Sequence, residues 1–244
     1  MTRFIDIHQH SAFDMDDGAD DFEHSKRMLR ASAADNVGCV FATSHMTPGI
    51  TPFDYEKYYS AINEMNAFCL SENLPLTVCP GCEVLYTDMT RRFLEEQRII
   101  PLGSSRSVLV EFGQDKSFDY IFDALRRVAA AGYRPVLAHA ERYLCLLNKP
   151  ESVIELKEEI RALIQLNTGA VLRKRSLFSS WDRKEKRFIK FMLDNRIADF
   201  VATDAHNTSS RKTRMKECYD FLSEQYGAEY SALLTGGNIG LLSD

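Results

Sequence analysis

Short apolar runs that each end in a histidine or a carboxylate recur along the whole chain, and this pattern narrows the folds open to it. Phe4-Ile5-Asp6-Ile7 ends in His8-Gln9-His10, and Val40-Phe41-Ala42-Thr43-Ser44 ends in His45. Leu76-Thr77-Val78 leads to Glu83, Val108-Leu109-Val110 to Glu111, and Pro135-Val136-Leu137-Ala138 to His139. Phe200-Val201-Ala202-Thr203 leads to Asp204-Ala205-His206. Runs this short and rich in Val, Ile and Phe read as buried strands. Charged or imidazole groups at the carboxyl ends of successive strands are the layout of an α/β barrel whose chemistry sits at one mouth.

The spacing supports that layout. One polar residue per run (His8, His45, Glu83, Glu111, His139, Asn167, Asp204) gives intervals of 37, 38, 28, 28, 28 and 37 residues. Each interval holds one strand, one helix and two loops. The acidic pair Asp20-Asp21 opens a helix expected over 22–35. Helical periodicity continues over 55–70, over 118–131 with Gly132 as its stop, over 151–163 and over 183–195. Seven strand ends result, because 236–242 is too short and glycine-rich for an eighth. The expectation is one domain over residues 1–244, an α/β fold built as a distorted seven-stranded (β/α)7 TIM-like barrel. A doubly wound open sheet is the alternative, but it would gather its ligands at one switch point.

Composition removes several function classes. At 244 residues, 45% hydrophobic and 27% charged, the chain reads as an ordinary soluble globular protein. No apolar stretch approaches the roughly 20 residues that span a bilayer. The sequence runs from Met1-Thr2-Arg3 directly into a strand, so no signal peptide is expected and the location is read as cytoplasmic. Net charge is −5 with scattered bases, which speaks against nucleic acid as a partner. Cys79-Pro80-Gly81-Cys82 lacks the second pair of a zinc site and ends a strand rather than opening a helix. The two thiols are expected as small buried apolar groups.

The polar groups themselves suggest metal chemistry. His8 and His10 lie two apart on a strand and leave the same face, and Asp204-x-His206 repeats the arrangement. Five carboxylates crowd residues 13–21; most read as a solvated loop and helix cap, with one free to bend back to a metal. Glu83 and Glu111 are costly to bury unless an arginine such as Arg142 pairs with them or a cation bridges them. Arg142 and Arg211 follow two of the ligand positions, and guanidinium forks grip anionic oxygens. His24 reads as a solvated helix residue. His8, His10, one loop aspartate, His45, Glu83, Glu111, His139, Asp204 and His206 make nine candidate ligands, enough for two or three cations. A mixed imidazole and carboxylate set suits Mn²⁺, Fe²⁺ or Zn²⁺.

These residues resemble the PHP (polymerase and histidinol phosphatase) superfamily. More narrowly, Ile5-Asp6-Ile7-His8-Gln9-His10, Phe13-x-x-x-Asp17-Gly18-Ala19, Ala138-His139-Ala140-Glu141-Arg142-Tyr143 and Thr203-Asp204-Ala205-His206-Asn207 with Arg211 resemble its bacterial tyrosine-protein phosphatases of capsular and exopolysaccharide synthesis. The resemblance implies a PHP-type barrel with a trinuclear, usually manganese-dependent site. It assigns one metal to His8, His10, Glu83 and Asp204, a second to Glu83, Glu111 and His139, and a third to Asp17, His45 and His206. Arg142 and Arg211 match the family's substrate arginines, and Asp17 is singled out from its acidic neighbours. Met46, where many members carry a second histidine, and Gly113, where proline often stands, depart from the pattern.

The expected activity is phosphomonoester hydrolysis, directed at phosphotyrosine in a protein tail such as that of a bacterial tyrosine kinase, with a metal-bridging hydroxide as nucleophile. A thiol-based phosphatase needs an arginine six positions beyond a cysteine. His45, Pro75, Leu85, Asp88, Glu151 and Glu224 stand there instead. The apolar groups of residues 47–53 are expected to overhang the mouth and grip an aromatic ring. The alternatives are a small-molecule phosphatase of the histidinol-phosphate kind, a phosphodiesterase, or a metal-binding module without turnover.

Overall fold

The computed structural model describes residues 3–173 and 179–243. Met1 and Thr2, on which the expectation of no leader rests, lie outside them. The elements follow in the order β1 (Phe4–Gln9), α1 (Phe22–Ala34), β2 (Val37–Met46), α2 (Tyr55–Ser71), β3 (Thr77–Leu85) and α3 (Thr90–Glu95). Then come β4 (Ser107–Glu111), α4 (Phe118–Ala130), β5 (Arg134–Leu137), α5 (Leu144–Asn148), α6 (Ser152–Ile160), β6 (Leu163–Asn167) and α7 (Thr168–Leu172). α8 (Ser180–Asp194), β7 (Phe200–Ala202), α9 (Met215–Tyr226) and α10 (Ala228–Leu234) complete the set, before a 3₁₀ turn over Gly237–Leu242.

The seven strands pair in sequence order, all parallel. A bridge between Gln9 and Ala205 brings the first strand to the last. This is the expected seven-stranded barrel, and sequential order excludes the doubly wound sheet. Backbone bonds from Asp204 N to His8 O (2.8 Å) and from His10 N to Ala205 O (2.9 Å) close the seam. Asp6 reinforces it: its carboxylate accepts from Thr203 N at 2.9 Å and from the Thr203 hydroxyl at 2.5 Å.

Helix starts follow capping chemistry. Asp21, Asp54, Ser117 and Ser179 each accept a hydrogen bond from a backbone N–H of the first turn. Gly132, at φ 83°, supplies the left-handed residue just past α4. The helix expected over 151–163 is shorter than its periodicity implied: Leu163 already begins β6. Arg161 at φ 60° turns the chain there, and a left-handed residue ends a helix whatever side-chain pattern continues past it.

Apolar side chains form two layers. One lies between strands and helices and includes Leu29, Val40, Met65, Ile121, Leu125, Val128 and Phe188. The other fills the barrel itself with Ile7, Phe41, Leu109, Val136, Leu163 and Phe200, and Leu242 plugs the end away from the strand carboxyl termini. The glycine-rich tail is therefore a floor rather than an eighth strand. The cysteines of the C-x-x-C segment do not act together: Cys82 is buried and donates to Ile100 O, whereas Cys79 is half-buried with its Sγ 3.5 Å from that of Cys39.

Tyr58 ties the helical layer to the strands near the ligand ends. Its buried hydroxyl donates to Ala42 O (2.6 Å) on β2 and accepts from Gly81 N (2.8 Å) on β3. Tyr58→Phe removes both of these buried bonds, which costs about 1–3 kcal/mol. Urea unfolding should therefore show a lower midpoint for this variant with an unchanged slope. An unchanged midpoint would show that the hydroxyl contributes nothing net.

Candidate metal centre

All nine candidate ligands meet at the carboxyl-terminal mouth of the barrel. His8, His45, Glu83 and Glu111 stand in β1, β2, β3 and β4. His10 lies just past β1, Asp17 in the loop before α1, His139 two residues past β5, and Asp204 and His206 just past β7. The register of β1 against β2 shifts between Asp6 and Gln9. Alternation breaks there, so Ile7 joins the barrel interior while its neighbour His8 turns to the mouth. His139 (φ 33°) and Asp204 (φ 51°) adopt left-handed backbone. For residues with a Cβ this is strained, and it is held here by the surrounding bonds.

The donor atoms converge on shared points. His8 Nε2 and His10 Nε2 face each other at 3.2 Å. Glu83 Oε2 lies 3.2 and 3.3 Å from them, and Asp204 Oδ1 lies 3.5 Å from each. A second group joins Glu83 to His139, 2.7 Å apart, with Glu111 Oε2 3.6 Å from the same imidazole. His45 Nδ1 is 3.2 Å from Glu83 and 3.3 Å from Glu111. A third group places Asp17 Oδ1 3.3 Å from both His45 Nε2 and His206 Nε2. His45 spans two groups through its two ring nitrogens, so the three sets implied by the resemblance sit as neighbours with shared members.

These residues fit a divalent cation on their own chemistry. Two neutral imidazole nitrogens that face each other as acceptors repel unless something positive lies between them. Among the described residues, His206 Nε2 and His139 Nδ1 are buried without a hydrogen-bond partner, a costly state for a nitrogen that could otherwise ligate or donate. Glu83 is 1% exposed, deep enough that its charge demands cations around it.

With protons as the only cations, the cluster polarises itself. Burial disfavours the charged form of His10, yet its bonds to Asp16 and Glu83 prevail and raise its pKa to about 10. His139 is likewise raised to about 9, burial being outweighed by Glu111 and Glu83. His206 moves the other way, to about 4, because burial and the positive His10 beside it keep it neutral. Glu83 and Asp204 stay ionised despite burial because imidazoles, and for Asp204 also Arg142, surround them.

Both arginines reach one carboxylate. Arg142 Nη2 bonds Asp204 Oδ2, and Arg211 Nη2 lies 3.0 Å from Oδ1. Arg142 thus pairs with neither Glu83 nor Glu111, which removes the simple ion-pair account of those two residues. Arg211 Nη1 also lies 3.5 Å from Asp17. Two cavities adjoin the cluster. One of about 660 Å³ runs from Asp17, His45 and Glu111 to Met15, Pro52 and Phe53, so the loop over 47–53 does border the mouth. The other, about 700 Å³, contains Arg142, Asp204 and Arg211.

The family model described as capsular polysaccharide synthesis, CpsB/CapC, matches residues 4–242. The chain belongs to the CpsB/CapC family. Within that family, tyrosine-protein phosphatase CpsB of Streptococcus pneumoniae is 32% identical over 225 residues, covering 92% of each chain. A crystal structure from the pair YwqE of Bacillus subtilis and CpsB of Streptococcus pneumoniae, metal-dependent tyrosine phosphatases, superposes with TM-score 0.85. It is 29% identical and covers 98% of this chain and 93% of that one. A histidinol phosphate phosphatase from Lactococcus lactis shares the fold, with TM-score 0.58 at 16% identity over 97% of this chain and 98% of that one. The chain thus shares its barrel fold with metal-dependent tyrosine phosphatases of the same family, and its own clustered imidazoles and carboxylates could hold metal ions.

Sequence reasoning missed the residues that hold these ligands. Asp16 was grouped with solvated loop carboxylates, yet its side chain is buried. It accepts from His10 Nδ1 (2.9 Å), Gly18 N (3.0 Å) and His45 N (2.9 Å). Gly18 is forced by close packing, since a Cβ there would lie 2.1 Å from His10 O. Gln165 on β6 accepts from His139 N (2.7 Å) and lies 3.3 Å from His8 Nδ1. Its amide donates to Asn167, which in turn donates to Asp204 (2.8 Å). The one available signal was Gln165-x-Asn167, two polar residues on the same face of an otherwise apolar strand.

Two outcomes follow. Asp16→Ala removes the acceptor that fixes the His10 ring, and such losses weaken metal affinity about 10–100-fold; metal titration with a competing chelator reads this, and unchanged affinity would deny Asp16 the role. Metal must also displace the protons held on His10 and His139, so affinity for a divalent cation should rise steadily from pH 6 to pH 9. Calorimetry in two buffers of different ionisation enthalpy should show proton release on binding, and a flat affinity over that range would contradict it.

Proposed function

We propose that this chain is a metal-dependent protein-tyrosine phosphatase, cytoplasmic, acting on a phosphotyrosine-bearing protein of polysaccharide synthesis such as the tail of a tyrosine kinase. The observation that carries the reading is the meeting of the nine imidazole and carboxylate groups with two arginines at one mouth. The tyrosine-phosphatase relatives, similar over nearly the whole chain, support it. Among the described residues no helix is long and apolar enough to cross a membrane.

In this reading His8, His10, Asp17, His45, Glu83, Glu111, His139, Asp204 and His206 hold two or three cations, with Mn²⁺ preferred and Fe²⁺ or Zn²⁺ able to substitute. The bound cations supply Lewis acidity, lowering the pKa of water and drawing charge from phosphoryl oxygens. Arg142 and Arg211, each still anchored on Asp204 by one nitrogen, present their remaining N–H groups to the phosphoryl group and offset charge growing on its equatorial oxygens. Asp204 holds both guanidiniums in place before substrate arrives, which removes an ordering cost at the moment of reaction. Met15, Pro52 and Phe53 offer an apolar wall for the tyrosyl ring beside His45 and Glu111. A phenolate, with pKa near 10, departs with modest proton assistance.

An assay panel of a phosphotyrosine peptide, histidinol phosphate and a dinucleotide, each with Mn²⁺, tests the proposal. The peptide should be turned over with the highest kcat/KM, and Glu83→Ala should abolish that turnover. Arg142→Ala and Arg211→Ala should each lower kcat about 100-fold, the scale of losing one oxyanion donor. Preference for histidinol phosphate or the dinucleotide would replace the substrate assignment. Full activity in Glu83→Ala would remove the metal mechanism.

A further inference from the structure

The two cavities beside the metal residues differ in the charge they offer a polypeptide. On the β1–β2 side, the cavity that holds Phe53 also carries Asp14 and Asp54. Its one lysine, Lys57, is taken by Asp14 at 2.6 Å. On the β6–β7 side, the cavity carries five basic residues, Arg142, Arg173, Arg211, Lys212 and Arg214, beside four acidic ones, Glu141, Glu185, Asp204 and Glu217. Arg142 and Arg211 there serve Asp204, and Arg214 is held by Glu217 at 2.8 and 2.5 Å. Lys212, exposed on the wall of this cavity directly after Arg211, has no carboxylate partner among the described residues.

Resting on the phosphotyrosine reading, we propose that this second cavity is a specificity subsite for the substrate chain, with Lys212 as the group that recognises an acidic residue flanking the phosphotyrosine. The metal residues lie between the cavities, with Asp17 and Glu111 on one and Asp204 on the other. A phosphoryl group at the cluster, with its aromatic ring against Phe53, sets the backbone on the β1–β2 side, and residues a few positions along one flank cross to the second cavity. A carboxylate there meets an exposed ammonium that makes no ion pair among the described residues and feels Glu217 only at longer range. A lysine at the same place meets Lys212, Arg214 and Arg211, and a polypeptide laid the other way brings its carboxylates against Asp14 and Asp54. The acidic first cavity and the more basic second one therefore favour a chain whose acidic flank lies on the Lys212 side.

The test uses three phosphotyrosine peptides of equal length, flanked by glutamates, alanines or lysines, with manganese-loaded full-length protein at low ionic strength. p-Nitrophenyl phosphate, which has no flank, normalises each preparation. The glutamate peptide should exceed the lysine peptide in kcat/KM by about fivefold or more, chiefly through KM, and added salt should compress the ratio. Lys212→Glu should erase or invert the ratio. Lys216→Glu, the same charge change at a residue paired with Asp220 and outside the cavity, should keep it. Binding of the same peptides with a non-hydrolysable phosphonate should follow the same order. Equal kcat/KM for the three peptides, or a ratio that survives Lys212→Glu or vanishes equally in Lys216→Glu, overturns the subsite while leaving the phosphatase reading intact. Hydrolysis of histidinol phosphate with no peptide cleaved overturns the phosphotyrosine reading and the subsite with it.

Discussion

A carboxylate cannot be buried alone, and Glu83 is buried almost completely. Its two oxygens lie 2.7 to 3.3 Å from imidazoles of His8, His10, His45 and His139, which arrive on three other segments of the barrel. Desolvating that charge costs several kcal/mol unless positive groups surround it. The site therefore needs cations, whether protons on imidazoles or metal ions between them. The rest of the mouth is arranged to satisfy that need. Glu111, Asp17 and Asp204 would repel Glu83 and one another if nothing positive lay between them.

The fold serves this cluster by bringing strand ends together and pinning them. Sequential parallel pairing sets the carboxyl ends of β1 to β7 around one opening. Asp6, Thr203 and the bond from Asp204 N to His8 O join the first strand to the last next to the ligands. The left-handed backbone at His139 and Asp204 aims their side chains inward, and the Gln165–Asn167–Asp204 chain of bonds braces it. Below the ligands the barrel is filled with apolar side chains, which keeps water from the buried side of the cluster and strengthens every charge interaction there.

Much of this was legible in the residue order because strand ends and ligands coincide. A run such as Val108-Leu109-Val110 that stops at a glutamate announces both its structure and an unusual use of charge. Interval lengths of 28 to 38 residues then fixed the repeating unit. What the order did not reveal depends on three-dimensional neighbours. Asp16 and Asp17 are adjacent and chemically identical, yet one is buried under His10 and His45 while the other faces the mouth. Only the path of the loop, tight against His10 at Gly18, separates them. The pairing of both arginines with Asp204 was equally hidden, since it joins segments 62 residues apart in one case. The early stop of α6 turned on one left-handed residue that periodicity does not encode.

The central claim is that these nine groups form a polynuclear centre around Glu83. Elemental analysis of protein purified without chelator, alongside Glu83→Gln, measures it most directly. Two to three transition-metal equivalents per chain are expected in the native protein, falling by at least one in the variant. One equivalent or none in the native protein, or the same content in both, would contradict the account.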